Sequence, residues 1–258
     1  MALRQALNVQ LTVIFTLFLR EMKGRFGGYR LGILWALIEP LVHITVLSLI
    51  FGYVRHRALN LDFAQFVALG IIPWLAFRKT LGGSLNIINA NAGLFNYSRI
   101  KPFDVIFAKV CVEFFTYLMA GLSLALVFYM LNHPFTLKKP LELILSYGLL
   151  MFFTFSTCLC AAVLSTRYNE LRKIIPILLR PLYFMSGLFY AIEDIPSQFH
   201  GYLLSNPVFH LIALIRSTFL DTVSLDLISI TYVLYLSVLM LFTGVMLYRY
   251  YRDRLVST

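Results

Sequence analysis

Little in this sequence is arranged for bond-making chemistry. None of the five histidines stands in the H-E-x-x-H spacing that places two zinc ligands on one helix face, and the three cysteines show no CxxC or Cys/His pattern. No Gly-Lys dipeptide occurs, so the P-loop that binds nucleotide phosphates is missing from the sequence. Ser186 and His43 could be nominated as a proteolytic pair, but Ser-Gly within a helix more often marks close helix packing. We therefore predict that the chain is not an enzyme, has no catalytic or metal-binding residues and holds no cofactor.

The residues that point to function are charged side chains inside apolar segments. Glu39 lies about eight residues into one predicted helix and Arg180 about seven into another, which is roughly 10–12 Å from the cytosolic end of each. Ionisable groups at membrane depth are usually paired or face water, and the proline that follows each charge would allow its helix to bend. We therefore predict that Glu39 and Arg180 face each other; alternatively, Arg180 reaches lipid phosphate while Glu39 binds backbone or water. Lys109 and Glu113, four residues apart, can satisfy each other on one helix.

The composition says what kind of fold must position these charges. Hydrophobic residues make up 60% of the 258 residues and charged residues 13%, against about 45–50% and about 25% in soluble domains. A disordered chain would be poor in apolar residues, whereas this one is rich in them. Both a water-soluble globule and a disordered chain are excluded, and the sequence indicates an integral membrane protein.

Runs without charge predict the membrane-spanning helices. Residues 114–137, 143–166 and 227–248 contain no Asp, Glu, Lys or Arg, and each run is long enough to span a bilayer, which takes about 20 residues. The alternation typical of a membrane β-barrel is absent. We predict one all-α polytopic membrane domain over residues 1–258 with six transmembrane helices, at 31–54, 63–83, 105–131, 141–165, 174–192 and 227–248.

Two further segments are apolar without being spans. Within residues 1–30, Arg4, Asn8, Thr12, Thr16 and Arg20 form a polar stripe opposite an apolar one, which predicts an amphipathic helix in the membrane interface. A cleaved signal peptide is the alternative, but no small-residue cleavage site follows the apolar stretch. Residues 195–220, between the fifth and sixth helices, predict two short re-entrant helices broken at Asn206-Pro207.

The distribution of Lys and Arg gives the orientation. Most of them fall in the N-terminal arm, the second and fourth connections and the C-terminal tail, which places both termini in the cytosol. The net charge of +10 is then explained by topology and by attraction to anionic lipid, and no nucleic acid partner is needed. Four basic residues at the level of the inner leaflet are predicted to attract an anionic lipid head, although orientation alone would also explain them: Arg25, Arg30, Arg78 and Lys79.

The cytosolic connection 84–104 is predicted to contain a short helix that docks on a partner. Its stretch 89–98 is free of charge and is closed by Arg99 and Ile100-Lys101-Pro102. Leu94, Phe95 and Tyr97 on one side would suit a groove on a partner protein.

These motifs, in this order, resemble the permease subunits of ABC-2 type exporters. The resemblance covers nearly the whole chain and rests on the amphipathic N terminus, Tyr29 to Trp35 running into Glu39-Pro40, Gly70 to Trp74, and Ile195-Pro196, Asn206-Pro207 and Arg216. Within that group the sequence is most similar to the Kps-type capsular polysaccharide export permeases of Gram-negative bacteria, while O-antigen and teichoic-acid permeases share the scheme.

The resemblance implies a homodimer in the bacterial inner membrane, paired with two copies of a separate ATPase that carries ATP and Mg²⁺. It implies export of lipid-linked capsular polysaccharide to the periplasm, with a periplasmic adaptor and outer-membrane export proteins as further partners, and it makes residues 89–99 the segment that docks on the ATPase. It also implies a lateral gate and substrate path between helices one and five, here Trp35, Glu39, His43, Arg180, Tyr183 and Phe184. A permease for a small amphiphile or drug, or a channel, stays open as the alternative.

Overall fold

A computed structural model describes residues 2–26, 32–54, 61–95, 97, 100–220 and 225–256. Over these residues the chain forms α-helices joined by short turns and contains no β-strand. The helices are α1 (Ala2–Phe26), α2 (Gly32–Val54), α3 (Leu61–Ser84), α4 (Ile87–Ala90), α5 (Pro102–Met130), α6 (Pro140–Arg167), α7 (Leu171–Met185), α8 (His200–Leu204), α9 (Pro207–Arg216) and α10 (Ile230–Val256).

Three of these helices are long and apolar enough to cross a membrane: α5, α6 and α10. They coincide with the three charge-free runs of the sequence. This agreement is expected, because a helix that spans the apolar core of a bilayer is built from about 20 consecutive residues with few or no charges. The all-helical fold of the described residues is therefore confirmed, and it is consistent with a polytopic membrane protein. The count of six spans and the interface position of α1 stay predictions.

Helix α3 lies at the centre of the packing. It contacts α2, α5, α6, α7 and α9, and its Trp74, Leu75 and Ala76 have no exposed surface. Helix α6 packs along α10, and α1 packs along α5. The central position of α3 matters for the site, because its charged end near Arg78 and Lys79 is placed between α2 and α7.

The predicted fifth span, 174–192, is wrong at its C-terminal end. Helix α7 stops at Met185 and is 15 residues long, or about 22 Å, which is short of the roughly 30 Å of a bilayer core. The chain turns at Ser186 and Gly187, where Gly187 has a φ of +67°. A side chain at this position would meet the ring of Phe209, so the turn needs glycine for its backbone and for its space.

The two short helices predicted after this turn are present as α8 and α9. Helix α9 begins with Pro207 at its first position, and the side chain of Asn206 caps it by accepting a hydrogen bond from Val208 N at 3.0 Å. Every residue from Val208 to Arg216 is buried. This apolar stretch is thus a core element, and its re-entrant position in a membrane stays a prediction.

Candidate functional site

A cavity of about 590 Å³ lies between α2, α3 and α7. It is large enough for a phosphate-bearing head with a few attached groups. Its lining combines aromatic and basic side chains with two glycines: His43, Trp74, Arg78, Lys79, Gly82, Gly83, Pro176, Leu179, Arg180, Tyr183 and Phe184.

Helix α3 supplies one wall because Trp74, Arg78 and Gly82 recur every four residues and therefore share a face. Trp74 is fully buried, and its indole Nε1 has no hydrogen-bond partner among the described residues. A Cβ at Gly82 would meet nothing within 4 Å, so this glycine leaves the cavity wall open. The wall thus places the buried indole ring of Trp74 one helical turn from the exposed cation Arg78.

The opposite wall is built around Tyr183 of α7. Its ring centroid lies 5.7 Å from that of Trp74 and 5.3 Å from that of Phe184, and His43 of α2 approaches it at 6.5 Å. Trp74 and Phe184 each meet Tyr183 in the edge-to-face arrangement that aromatic side chains prefer, and the His43 ring is tilted toward it. Of the predicted gate residues, the cavity therefore brings together His43, Arg180, Tyr183 and Phe184.

The predicted ion pair between Glu39 and Arg180 is wrong. The Glu39 carboxylate instead binds Lys79 Nζ at 2.9 Å, and no ion pair of the described residues involves Arg180. The reason is the position of α3 beside α2, which brings Lys79 to Glu39 while Arg180 stays exposed on the cavity wall. The site contains three cations and one carboxylate, so it has an excess of positive charge.

Two predicted residues of this region cannot be placed. Arg30 lies outside the described residues. Trp35 belongs to the described helix α2, but its side chain lies outside what the structure describes. Both stay predictions.

Arg25 is not at this site, which corrects its predicted role as one of four lipid-head residues. It forms an ion pair with Glu113 of α5, whose side chain is 6% exposed. Lys109 Nζ lies 3.2 Å from the same Glu113, as the spacing predicted, and 2.8 Å from Glu21 of α1. We call Glu21, Arg25, Lys109 and Glu113 the closed cluster, because its two cations and two anions balance and hold α1 against α5.

The predicted docking segment is only partly exposed. It consists of α4 and a 3₁₀ turn over Ala92–Leu94, after which Tyr97 is 66% exposed. Phe95, however, is buried in the core and Leu94 packs against it, which corrects the expectation that all three face a partner. Arg99 lies outside the described residues. Sequence reasoning missed that Arg20 Nη2 of α1 donates to Asn91 Oδ1 of this segment at 2.6 Å.

Comparison with known proteins gives the class of this membrane protein. The sequence matches the family described as ABC-2 type transporter over residues 12–220. The chain belongs to the ABC-2 type transporter family, and the resemblance deduced from its motifs is confirmed.

The individual relatives are named as transport or export proteins. The chain is 35% identical over 256 residues to the polysialic acid transport protein KpsM of Escherichia coli, and the alignment covers 99% of both chains. It is 25% identical over 216 residues to the capsule polysaccharide export inner-membrane protein BexB of Haemophilus influenzae, covering 80% of this chain and 78% of that protein. The O-antigen export system permease protein RfbA of Myxococcus xanthus is 25% identical over 186 residues, covering 72% and 71%.

Proposed function

We propose that this chain is the permease subunit of an ABC exporter that moves lipid-linked capsular polysaccharide from the cytosol to the periplasm across a bacterial inner membrane. The observation that carries the proposal is the similarity to the polysialic acid transport protein over 99% of both chains. The similarity to a capsule export protein of a second organism supports the same substrate class. The surplus of positive charge in an aromatic cavity supports it on chemical grounds.

In this proposal the membrane contains six passes of each chain. Helices α2, α3, α5, α6 and α10 cross it, and α7 completes the sixth pass with the turn that follows it. Helix α1 lies in the cytosolic interface, α8 and α9 enter from the periplasmic side, and both termini are cytosolic. The excess of Lys and Arg in the predicted cytosolic connections supports this orientation.

The cavity between α2, α3 and α7 is proposed to receive the anionic head of the lipid anchor. Arg78 and Arg180 are exposed on its wall, so they can donate charge-assisted hydrogen bonds to phosphate or carboxylate oxygens. The rings of Tyr183 and Phe184 offer apolar faces to sugar rings. Because the cavity lies between α2 and α7, parting of these two helices would admit the lipid tail from the side; Trp35, Glu39 and His43 would border this lateral gate on α2.

The work of transport is proposed to come from a separate ATPase dimer that binds ATP and Mg²⁺. Two copies of this chain would form the translocation path, and the segment around Tyr97 would contact the ATPase. A periplasmic adaptor and outer-membrane export proteins would receive the polymer. The absence of a P-loop from the sequence supports this division of labour.

The second candidate is a permease for a different polymer, such as O-antigen or teichoic acid, or for a small amphiphile. The similarity to an O-antigen export permease favours the polymer version of this alternative. Both candidates use the same cavity and differ in the substrate that enters it.

The test is complementation of an Escherichia coli strain that lacks its polysialic acid transport protein, with the gene for this chain supplied together with that of its own ATPase. We expect polysialic acid at the cell surface, detected by antibody on intact cells. Intracellular retention of the polymer, with both proteins present in the membrane, would favour the second candidate.

A further inference from the structure

A buried arginine joins the end of α7 to two other elements. Arg216, the last residue of α9, is 3% exposed. Its Nε donates to Phe66 O of α3 at 3.1 Å, and its Nη1 and Nη2 donate to Gly187 O and Leu188 O at 2.5 and 2.8 Å. The guanidinium also lies over the Phe66 ring, with 3.6 Å from Cζ to the ring centroid. Main-chain carbonyls and a ring face therefore compensate this charge, and no carboxylate of the described residues forms an ion pair with it.

Glycine makes the space for this arrangement. A Cβ added at Gly70 of α3 would overlap Arg216 Nη2, and the guanidinium could then not lie against the helix. On the other side, Gly187 adopts a backbone conformation that other residues rarely adopt, which turns its carbonyl oxygen toward Arg216. The glycine in the sequence motif Gly70 to Trp74 thus has a physical explanation.

The other end of α9 holds the same turn. Asn206 Nδ2 donates to Ser186 Oγ at 2.9 Å and to Met185 O at 3.3 Å, while its Oδ1 caps α9. Between the two ends, His210 Nδ1 accepts from Ser229 N at 3.1 Å, just before α10 begins. Helix α9 is therefore fixed to its surroundings and holds residues 185–188 from both ends.

The body of α7 is held much less firmly than its end. Leu179 is its only buried residue, and Pro176 and Pro181 interrupt its backbone hydrogen bonding. A helix that is fixed at one end and loosely packed along its length can swing about the fixed end.

We propose that Arg216 is a positioning residue for transport. It fixes the C-terminal end of α7, so that the rest of α7 rotates about the turn 185–188 when the cavity opens. This inference rests on the proposed function for the movement of α7 and goes beyond it by assigning the fixed point. Arginine is required, because a lysine ammonium is a point charge and cannot donate at the same time to the carbonyl oxygen of Phe66 and to those of Gly187 and Leu188.

The test compares Gly70→Ala, Arg216→Lys and the control Gly148→Ala in the full chain with its ATPase partner, reconstituted in nanodiscs. Gly148 lies inside α6, and a Cβ there would meet nothing within 4 Å. Hydrogen exchange of the amides at 183–192 is measured without substrate. We expect exchange to be faster by about tenfold or more in Gly70→Ala and Arg216→Lys, with α5 and α6 unchanged. The double variant Gly70→Ala with Arg216→Lys should exchange no faster than Arg216→Lys alone, since both changes remove the same contacts of the Arg216 guanidinium.

Surface polysaccharide in cells is the second readout. We expect export to be lost in Gly70→Ala and Arg216→Lys, although both insert in the membrane, and to be normal in Gly148→Ala. Wild-type exchange at 183–192, faster exchange spread over all helices, or normal export despite faster exchange would each overturn the inference. If Arg216→Lys does not accumulate in the membrane, the comparison of Gly70→Ala with the control Gly148→Ala decides the test, because both variants keep the charge of Arg216. The exchange measurement uses no substrate, so it succeeds or fails independently of the proposed function.

Discussion

Two groups of charged side chains in this protein are made of the same residue types and differ in how the charges are balanced. In the closed cluster between α1 and α5, Lys109 bridges Glu21 and Glu113, and Arg25 completes the set. In the cavity between α2, α3 and α7, one carboxylate, Glu39, faces Lys79, while Arg78 and Arg180 form no ion pair with any described residue.

The difference separates a structural role from a binding role. A partly buried set of charges that sums to zero satisfies itself and fixes one helix against another. A set with surplus positive charge beside aromatic rings, in a cavity large enough for a ligand, can bind an anion from outside the chain. Charge balance, more than the presence of charge in an apolar helix, thus indicates where a ligand binds.

Breaking the closed cluster should have the largest effect on stability. Glu113→Gln removes the buried carboxylate that pairs with Arg25 and Lys109, whose side chains are 24% and 18% exposed, and loss of such a partner costs about 1–3 kcal/mol. We expect a large fall in the thermal unfolding midpoint of the purified protein. The control is Glu142→Gln, whose exposed pair with Lys139 at 3.3 Å should change stability by less than about 0.5 kcal/mol. Equal effects of the two substitutions would refute the distinction.

Neutralising the cavity should affect transport and leave the fold intact. Arg78→Gln and Arg180→Gln each remove an exposed cation, so we expect an unchanged unfolding midpoint. Loss of one charge-assisted hydrogen bond to the anionic head should weaken its binding about ten- to a hundredfold. Surface polysaccharide on intact cells is the measurement, with Arg167→Gln, outside the cavity, as the control. Normal export by the double variant would place the substrate elsewhere.

The pair of Glu39 and Lys79 offers a smaller effect and a sharper geometric test. Its side chains are 26% and 40% exposed, so solvent screening limits its contribution to about 0.2–1 kcal/mol. The exchange Glu39→Lys with Lys79→Glu should restore part of the export lost in each single variant. The exchange Glu39→Arg with Arg180→Glu should restore none. Recovery by the second exchange alone would reinstate the pair that the sequence predicted.

The smallest effect on stability is expected from a substitution of Tyr97. This residue tests the same distinction between stabilising and binding residues in the predicted docking segment. Because Tyr97 is exposed, Tyr97→Ala should change the free energy of unfolding by less than about 0.5 kcal/mol. The amount of ATPase that co-purifies should nevertheless fall. An unchanged yield of ATPase would show that the contact surface lies elsewhere on the protein.

Local patterns were predictable from the sequence, and contacts between distant elements were not. The pair of Lys109 and Glu113 follows from helical spacing alone, and the charge-free runs locate α5, α6 and α10. Matching depths suggested Arg180 for Glu39, but the choice between Arg180 and Lys79 depends on which helix packs beside α2. The burial of Phe95 depends in the same way on how a turn folds back on the core.

Arg216 is the clearest example of contacts that the sequence did not predict. Its type and its place in an apolar stretch gave no sign of its partners, which lie at 28 to 150 residues' distance along the chain. The end of α7 was missed for a different reason. Gly187 follows the cap residue Ser186 and has the positive φ typical of a helix-ending glycine, but the apolar run that continues to Ile192 outweighed this signal in the prediction.

Photocrosslinking in cells that export polysaccharide tests the central claim, binding of the substrate in the cavity, most directly. A photoreactive phenylalanine replaces either Phe184 on the cavity wall or, as the control, Phe115 of α5. Phe115 is 42% exposed, does not line the cavity and contacts Phe18 of α1. The account predicts an adduct with the polysaccharide or its lipid anchor at position 184 and none at position 115. Equal adducts at both positions, or none at 184 while export proceeds, would contradict it.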